Sequence, residues 1–333
     1  MSSLENGSLS GDGPPAIQLN RITRYFGTSK AVDEITFHVN RGEVFGYIGP
    51  NGAGKTTSMR ILATLESPSS GEAWVDGFSV VDDPDRVRFR LGWMPDDFET
   101  YPDVNCEEYL DFFARSYGLR GKERRRSLRY VMGFTQLDQM ANKPVDSLSK
   151  GMKQRLGLGR ALIHNPSVLI LDEPAAGLDP RARIELREMI RHLADEGKSM
   201  LVSSHILTEL AEMCDRVGII EKGRMLAVGS VDEILDSLHQ ADRDASDQSR
   251  RSSMFVESLH DPKTVIDWLS RQPEVDSVTL QGSQVAFFCS NERERQANLL
   301  SQMITAGIPV VSFGQRKATL EEAFLKVTKG RVQ

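Results

Sequence analysis

The stretch GPNGAGKTT, Gly49 to Thr57, decides how the rest of the chain reads. It carries a glycine, four open positions and then Gly-Lys-Thr, the spacing of a loop that wraps phosphate. Gly49, Gly52 and Gly54 let the backbone curl until successive N–H groups face one anion. Lys55 brings a positive charge to the β- and γ-phosphates, and Thr56 offers a hydroxyl to Mg²⁺. An apolar strand-like run, EVFGYIG, precedes the loop, and a helix-like run, KTTSMRILATL, follows it. That context makes Gly49, Pro50, Asn51, Gly52, Ala53, Gly54, Lys55, Thr56 and Thr57 together the candidate site for a nucleotide and its Mg²⁺.

Further along, VLILD (Val168–Asp172) and SMLVSS (Ser199–Ser204) are short apolar runs of the kind buried in parallel sheets. Between them, RARIELREMIRHLADEG places Leu186, Met189, Ile190 and Leu193 on one helical face, and Gly197 stops it. Strand, helix and strand in this order make the first domain α/β. Its expected span is residues 16–238. A helical block at about 97–162 interrupts it, with CEEYLDFFARSYGL and RRRSLRYVMGFTQL both showing helical spacing.

Residues 1–15 are rich in Ser, Gly and Pro and read as a disordered tail. Residues 239–252 are polar and charge-mixed and read as a linker. Residues 253–330 then run strand, helix, strand, QGS turn, strand, helix, strand, the order of a small α+β ferredoxin-like domain, and end in the helix-like TLEEAFLKVTKG.

The chain has 333 residues, enough for two ordinary cores, and a net charge of −6, which gives no sign of nucleic-acid binding. Cys106, Cys214 and Cys289 are far apart and form no CxxC pair, so they read as reduced, buried or incidental thiols. No apolar run approaches the ~18 residues of a membrane span, so a membrane role has to come through a partner.

Three further segments carry chemistry. Asp172 ends a buried strand and presents a carboxylate to the Mg²⁺ shell, and Glu173 follows it directly. If the strand continues, the two side chains point to opposite faces. His205 closes SSH at the next strand end, either as a solvated residue or as part of the ligand site. LSKGMKQRLGLGRAL opens a helix with Ser149 as a good N-cap, and Ser149 and Gly151 offer a second anion-binding helix start.

The ordered set GPNGAGKTT, LSKGMKQR, LILDEP, AAGLD and SSH resembles the nucleotide-binding subunit of ABC transporters over about Ile17 to Ser230. The tail domain and closing helix resemble the branch that powers multidrug or polysaccharide-type exporters. The resemblance implies a P-loop NTPase of the ABC type with a helical subdomain. It implies an ATPase that makes ADP and phosphate, two chains sandwiching two nucleotides head to tail, and a separate membrane permease. The chain would then sit on the cytoplasmic face of the cell membrane, held by that permease. A homodimer is expected because Glu173 and His205 are both intact, and no nucleic acid is expected.

Residue by residue, the resemblance makes Glu173 orient the attacking water and His205 contact the γ-phosphate. It makes Ser149 and Gly151 bind the γ-phosphate held by the partner copy, and Asp179 signal across the dimer. Phe26, in RYFG, would stack on adenine; the alternative is a core aromatic. Asp96 stands where the family usually has a glutamine; its oxygens could contact Mg²⁺ or its waters, as a metal residue beside Thr56 and Asp172, but it could not donate an amide hydrogen bond, and Lys150 and Met152 depart from the usual LSGGQ. The basic stretch Arg120–Arg129 reads as a solvated helix face, with headgroup or permease contact as the alternative. The rival to a transporter subunit is a soluble ABC ATPase, a regulatory or ribosome- or nucleic-acid-associated switch.

Overall fold

The computed structural model describes residues 13–97, 101, 103–234 and 251–315. The chain divides into two compact units that meet between Asp232 and Glu233. The expected tail up to residue 12, the expected linker apart from its last two residues, and the closing TLEEAFLKVTKG lie outside the described residues.

The first unit begins with β1 (Ile17–Phe26), β2 (Ser29–Val39), β3 (Val44–Ile48), α1 (Lys55–Leu62), β4 (Ser70–Val75), β5 (Phe78–Ser79), α2 (Pro84–Arg90) and β6 (Leu91–Met94). It continues through α3 (Cys106–Ser116), α4 (Gly121–Phe134), α5 (Lys150–Leu162), β7 (Val168–Leu171), α6 (Pro180–Asp195), β8 (Ser199–Ser204), α7 (Leu207–Met213), β9 (Arg216–Glu221) and β10 (Arg224–Gly229).

A six-stranded sheet has the order β10-β9-β3-β8-β7-β6. The strands from β9 to β6 are parallel, and β10 closes the edge antiparallel to β9. Every residue of β3, β7 and β8 is buried, which is why these runs do not alternate apolar with charged residues; the buried serines of β8 stand at its two ends. Parallel strands point their carboxyl ends the same way, so Ile48, Met94, Leu171 and Ser204 all deliver the chain to one edge of the sheet. Ligands of open α/β sheets bind at that edge.

A second, antiparallel sheet, β2-β1-β4-β5, shares a core with α1 and the first sheet. Within it Phe37 stacks on Phe45 at 5.0 Å between ring centres. The sequence reading did not separate this sheet. Its two-residue alternation breaks where the β1–β2 register shifts between Leu19 and Ile22, so the period is lost to inspection.

The helical block forms as expected. Asn105 caps α3 reciprocally with Glu108, and Ser149 caps α5 by accepting the Met152 N–H. Gly159 lets α5 approach α4 and α3 closely, since a Cβ there would lie 3.0 Å from Val131 and 3.4 Å from Leu110. Gly92 does the same for β6: an added Cβ would overlap the carbonyl oxygen of Ala161 on α5. The basic stretch sits on α4 with its charges solvent-facing, except that Arg124 pairs with Asp111 at 3.0 Å.

The second unit contains β11 (Arg251–Ser258), α8 (Pro262–Leu269), β12 (Asp276–Gln281), β13 (Gln284–Ser290), α9 (Arg293–Thr305) and β14 (Val310–Gln315). Its antiparallel sheet has the order β12-β13-β11-β14, the ferredoxin-like arrangement. The linker reading ends too late: Arg251 and Ser252 already pair with Ser290 and Cys289. Polar residues at a strand end carry no apolar signal, although their backbone completes the ladder. The three cysteines are all buried.

Candidate active site

The loop after β3 owes its shape to backbone that has no room for side chains. A Cβ on Gly49 would overlap the Ile220 carbonyl oxygen, and one on Gly54 would lie 2.5 Å from that of Ala31. Gly54, at φ 103, precedes α1, and no side chain caps that helix, so its first N–H groups stay available to an anion. The β9–β10 hairpin braces the loop. Gly223 donates its N–H to Ala53 O at 2.9 Å and accepts from Asp33 N at 2.8 Å. The sequence reading missed this brace; its signal was Lys222-Gly223 between two apolar runs, a tight hairpin turn.

Six side chains converge at the shared strand ends. Lys55 Nζ donates to Gly49 O at 2.7 Å and Pro50 O at 3.3 Å, and lies 3.2 Å from Glu173 Oε1. Thr56 Oγ1 donates to Asp172 Oδ2 at 2.7 Å. Ser203 Oγ donates to Asp172 Oδ1 at 2.6 Å and accepts the Glu173 N–H at 2.8 Å. His205 Nδ1 donates to Glu173 Oε2 at 2.7 Å. Asp172 is 1% exposed and Glu173 9%, so their charges sit in a poorly solvated edge where nearby dipoles and cations act strongly.

The condition under which Glu173 would turn away from Asp172, a strand that continues, is not met. The strand ends at Leu171, and Glu173 adopts a left-handed backbone, φ 49. That bend swings its carboxylate back to Lys55 and His205. A non-glycine residue in this region is strained, and such strain gathers at functional sites. Glu173 Oε1 is buried and accepts no hydrogen bond among the described residues. Ser203, which the sequence reading passed over beside His205, holds both acidic residues in place.

Thr56 and Asp172 supply hard oxygen donors side by side, the chemistry that suits Mg²⁺. Among the described residues no group of three or more His, Cys, Asp and Glu is arranged to hold an ion. An ion here would therefore take its remaining ligands from phosphate and water. Asp96, two residues past β6, is exposed but lies within reach of this edge. Partial burial, then the charges of Asp172 and Glu173, push its carboxyl above the usual range, and Lys150 pulls it back.

The remaining predicted residues lie apart from this cluster. Phe26 is 47% exposed at the end of β1, with the Arg24 guanidinium 4.8 Å from its ring centre, so it is not a core aromatic. Ser149 and Gly151 open α5, and the Cα of Gly151 faces Leu178 and Ala182. Asp179 caps α6 by accepting the Ala182 N–H at 2.9 Å.

Comparison with known proteins matches residues 32–176 to the ABC transporter family and 247–328 to the C-terminal domain of DrrA1-3-like ATP-binding proteins. The chain is 32% identical over 314 residues to Nod factor export ATP-binding protein I of Ralstonia nicotianae, covering 94% of each chain. The chain belongs to the ABC transporter family. It is an ATP-binding subunit of that family, an ATPase coupled to transport. A probable multidrug ABC transporter ATP-binding protein of Escherichia coli is 35% identical over 75% of this chain and 42% of its own length. Among solved structures, a dimeric bacterial ABC transporter cassette aligns with TM-score 0.60 and 25% identity, over 65% of this ABC subunit and 98% of that chain. None of the described helices of the subunit is long and apolar enough to cross a membrane.

Proposed function

We propose that this ABC subunit binds MgATP on the 49–57 loop, hydrolyses it between two copies arranged head to tail, and powers export through a separate permease at the cytoplasmic face of the membrane. Export is the activity named for its relative of near-equal length. The observation that carries the catalytic part is the placement of Glu173, bent back by its left-handed backbone between Lys55 and His205 with one buried oxygen free of hydrogen bonds.

In this reading Thr56 and Asp172 would hold Mg²⁺, which would supply positive charge to the phosphate oxygens. Lys55 adds a second positive charge there. Glu173 takes the proton of the attacking water as the new bond to the γ-phosphorus forms, the bond to the bridging oxygen breaks, and ADP leaves. His205 orients Glu173 through Nδ1 and keeps its other ring nitrogen for the γ-phosphate. Ser149 and Gly151 meet the γ-phosphate bound by the other copy, Asp179 lies at the facing surface, and Phe26 stacks on adenine. Positioning and charge neutralisation carry most of such a reaction.

Glu173→Gln tests this directly. Losing a general base costs about 10²–10⁴ in rate, so turnover falls by that much while ATP binding persists. Parent-rate hydrolysis by this variant would overturn the assignment.

A further inference from the structure

Phe26 ends β1, and the hairpin that carries it touches the phosphate loop. The β1–β2 register shifts between Arg24 and Tyr25, so β2 carries one extra residue there, Ala31. The Ala31 carbonyl oxygen presses on Gly54, where a Cβ would lie only 2.5 Å from it. Beside this contact, the Arg24 guanidinium covers one face of the Phe26 ring at 4.8 Å from its centre, while 47% of the phenylalanine stays exposed. Glu66 forms an ion pair with that guanidinium. The two side chains are only 23% and 21% exposed, so solvent screens them little. Glu66 stands just past α1, the helix that opens at Lys55, and its segment is fastened to β1. Ser69 donates its N–H to Thr23 O at 2.7 Å and accepts the Tyr25 N–H on Oγ at 3.1 Å. Arg24 Nε is buried with no hydrogen-bond partner among the described residues. A long, flexible arginine could satisfy that group by turning to water, so the ring and the carboxylate together outweigh its cost.

A cation behind an aromatic ring draws the π density toward the covered face. The open face becomes less negative, so stacking on the π-rich face of a purine meets less repulsion. The covered face also keeps the ring from turning, so less side-chain freedom is lost when a base arrives. We propose that Arg24, anchored by Glu66, is a positioning residue for the base of the nucleotide: it backs Phe26 and leaves the opposite face for a purine. It touches no phosphate and acts through the ring. The inference rests on Phe26 as the stacking residue. It gives α1 two duties, since the first turn of this helix faces the phosphates and the segment just past its end holds the arginine behind the base.

Equilibrium titration of the full chain with MgADP and with Mg²⁺-pyrophosphate tests it; the second ligand has phosphates and no base, and neither is hydrolysed at the γ-position. Arg24→Ala should weaken MgADP about fivefold and leave pyrophosphate within about twofold of the parent. Glu66→Gln, which frees the guanidinium, should cost MgADP about threefold. Arg24→Lys keeps the charge and the ion pair and should stay within about twofold of the parent for both ligands. In a Phe26→Ala chain, already weakened for MgADP, Arg24→Ala should add nothing further, because the two side chains act as a unit. Parent affinity for MgADP in Arg24→Ala, equal losses for both ligands, or a full further loss in the Phe26→Ala chain would overturn the role of Arg24. Phe26→Ala at parent affinity for MgADP would instead overturn the stacking reading beneath it, so the two failures are distinguishable.

Discussion

Ser203 shows how one hydroxyl can decide the geometry of a reaction. It donates to Asp172 and accepts from the Glu173 backbone, so it sets both the Asp172 carboxylate and the bend that aims the Glu173 side chain. Replacing it with alanine leaves a buried carboxylate oxygen and a buried N–H each short of a partner. Such orphaned groups cost about 1–3 kcal/mol, so Ser203→Ala should lower unfolding free energy by that amount in a urea titration. It should also reduce turnover, because Glu173 loses the anchor of its strained backbone. The sequence reading stopped at His205 here. A serine at the end of an apolar strand has no spacing that sets it apart from a structural one.

Contacts between elements hold this residue cluster in register, and His164 is an informative one. It follows α5, stacks on Tyr117 beyond α3 at 3.7 Å between ring centres, and donates from Nε2 to Leu91 O on β6 at 3.2 Å. Burial pushes its pKa from 6.5 down to about 4. The folded state therefore keeps this ring neutral where the unfolded chain protonates it. Its contribution is fully present above pH 6.5 and is lost as pH falls towards 4, amounting to roughly 3 kcal/mol at most. Denaturant midpoints measured across that window should fall with acidity in the parent and fall less steeply in His164→Phe. Because Gly92 and His164 both lock β6 against the end of α5, acid loosening of this joint would also displace the Asp96 loop.

Assembly adds what no single copy contains. The signature residues Ser149 and Gly151 sit at the start of α5, packed near α6 and away from the Lys55 cluster of their own chain. With Glu173→Gln to prevent turnover, ATP should double the mass seen by light scattering. Adding Gly151→Asp should block that association while one copy still binds ATP, since a carboxylate there repels the incoming γ-phosphate. A cleft of about 310 Å³ between the end of α1, β6 and the helical block is lined by Leu65, Trp93, Phe113, Tyr117, Arg88 and Arg160. Leu65 is 50% exposed. If the permease docks in this cleft, Leu65→Glu should abolish permease-dependent stimulation of ATPase activity and spare the activity of the isolated subunit.

Local chemistry made much of this legible before any coordinates. GPNGAGKTT needs its glycines and lysine wherever it occurs, parallel strands buried on both faces are mostly apolar and do not alternate, and Ser149 caps a helix by its own hydroxyl. The βαββαβ order of residues 253–313 likewise follows from periodicity and turns. Other features depend on residues far apart in the chain. The left-handed bend at Glu173 is held by Ser203 thirty positions on, and the brace of Gly223 on Ala53 spans the sheet. Hydrogen bonds and charges act over a few ångströms of space. The sequence determined which groups were available, and the folded chain decided which of them meet.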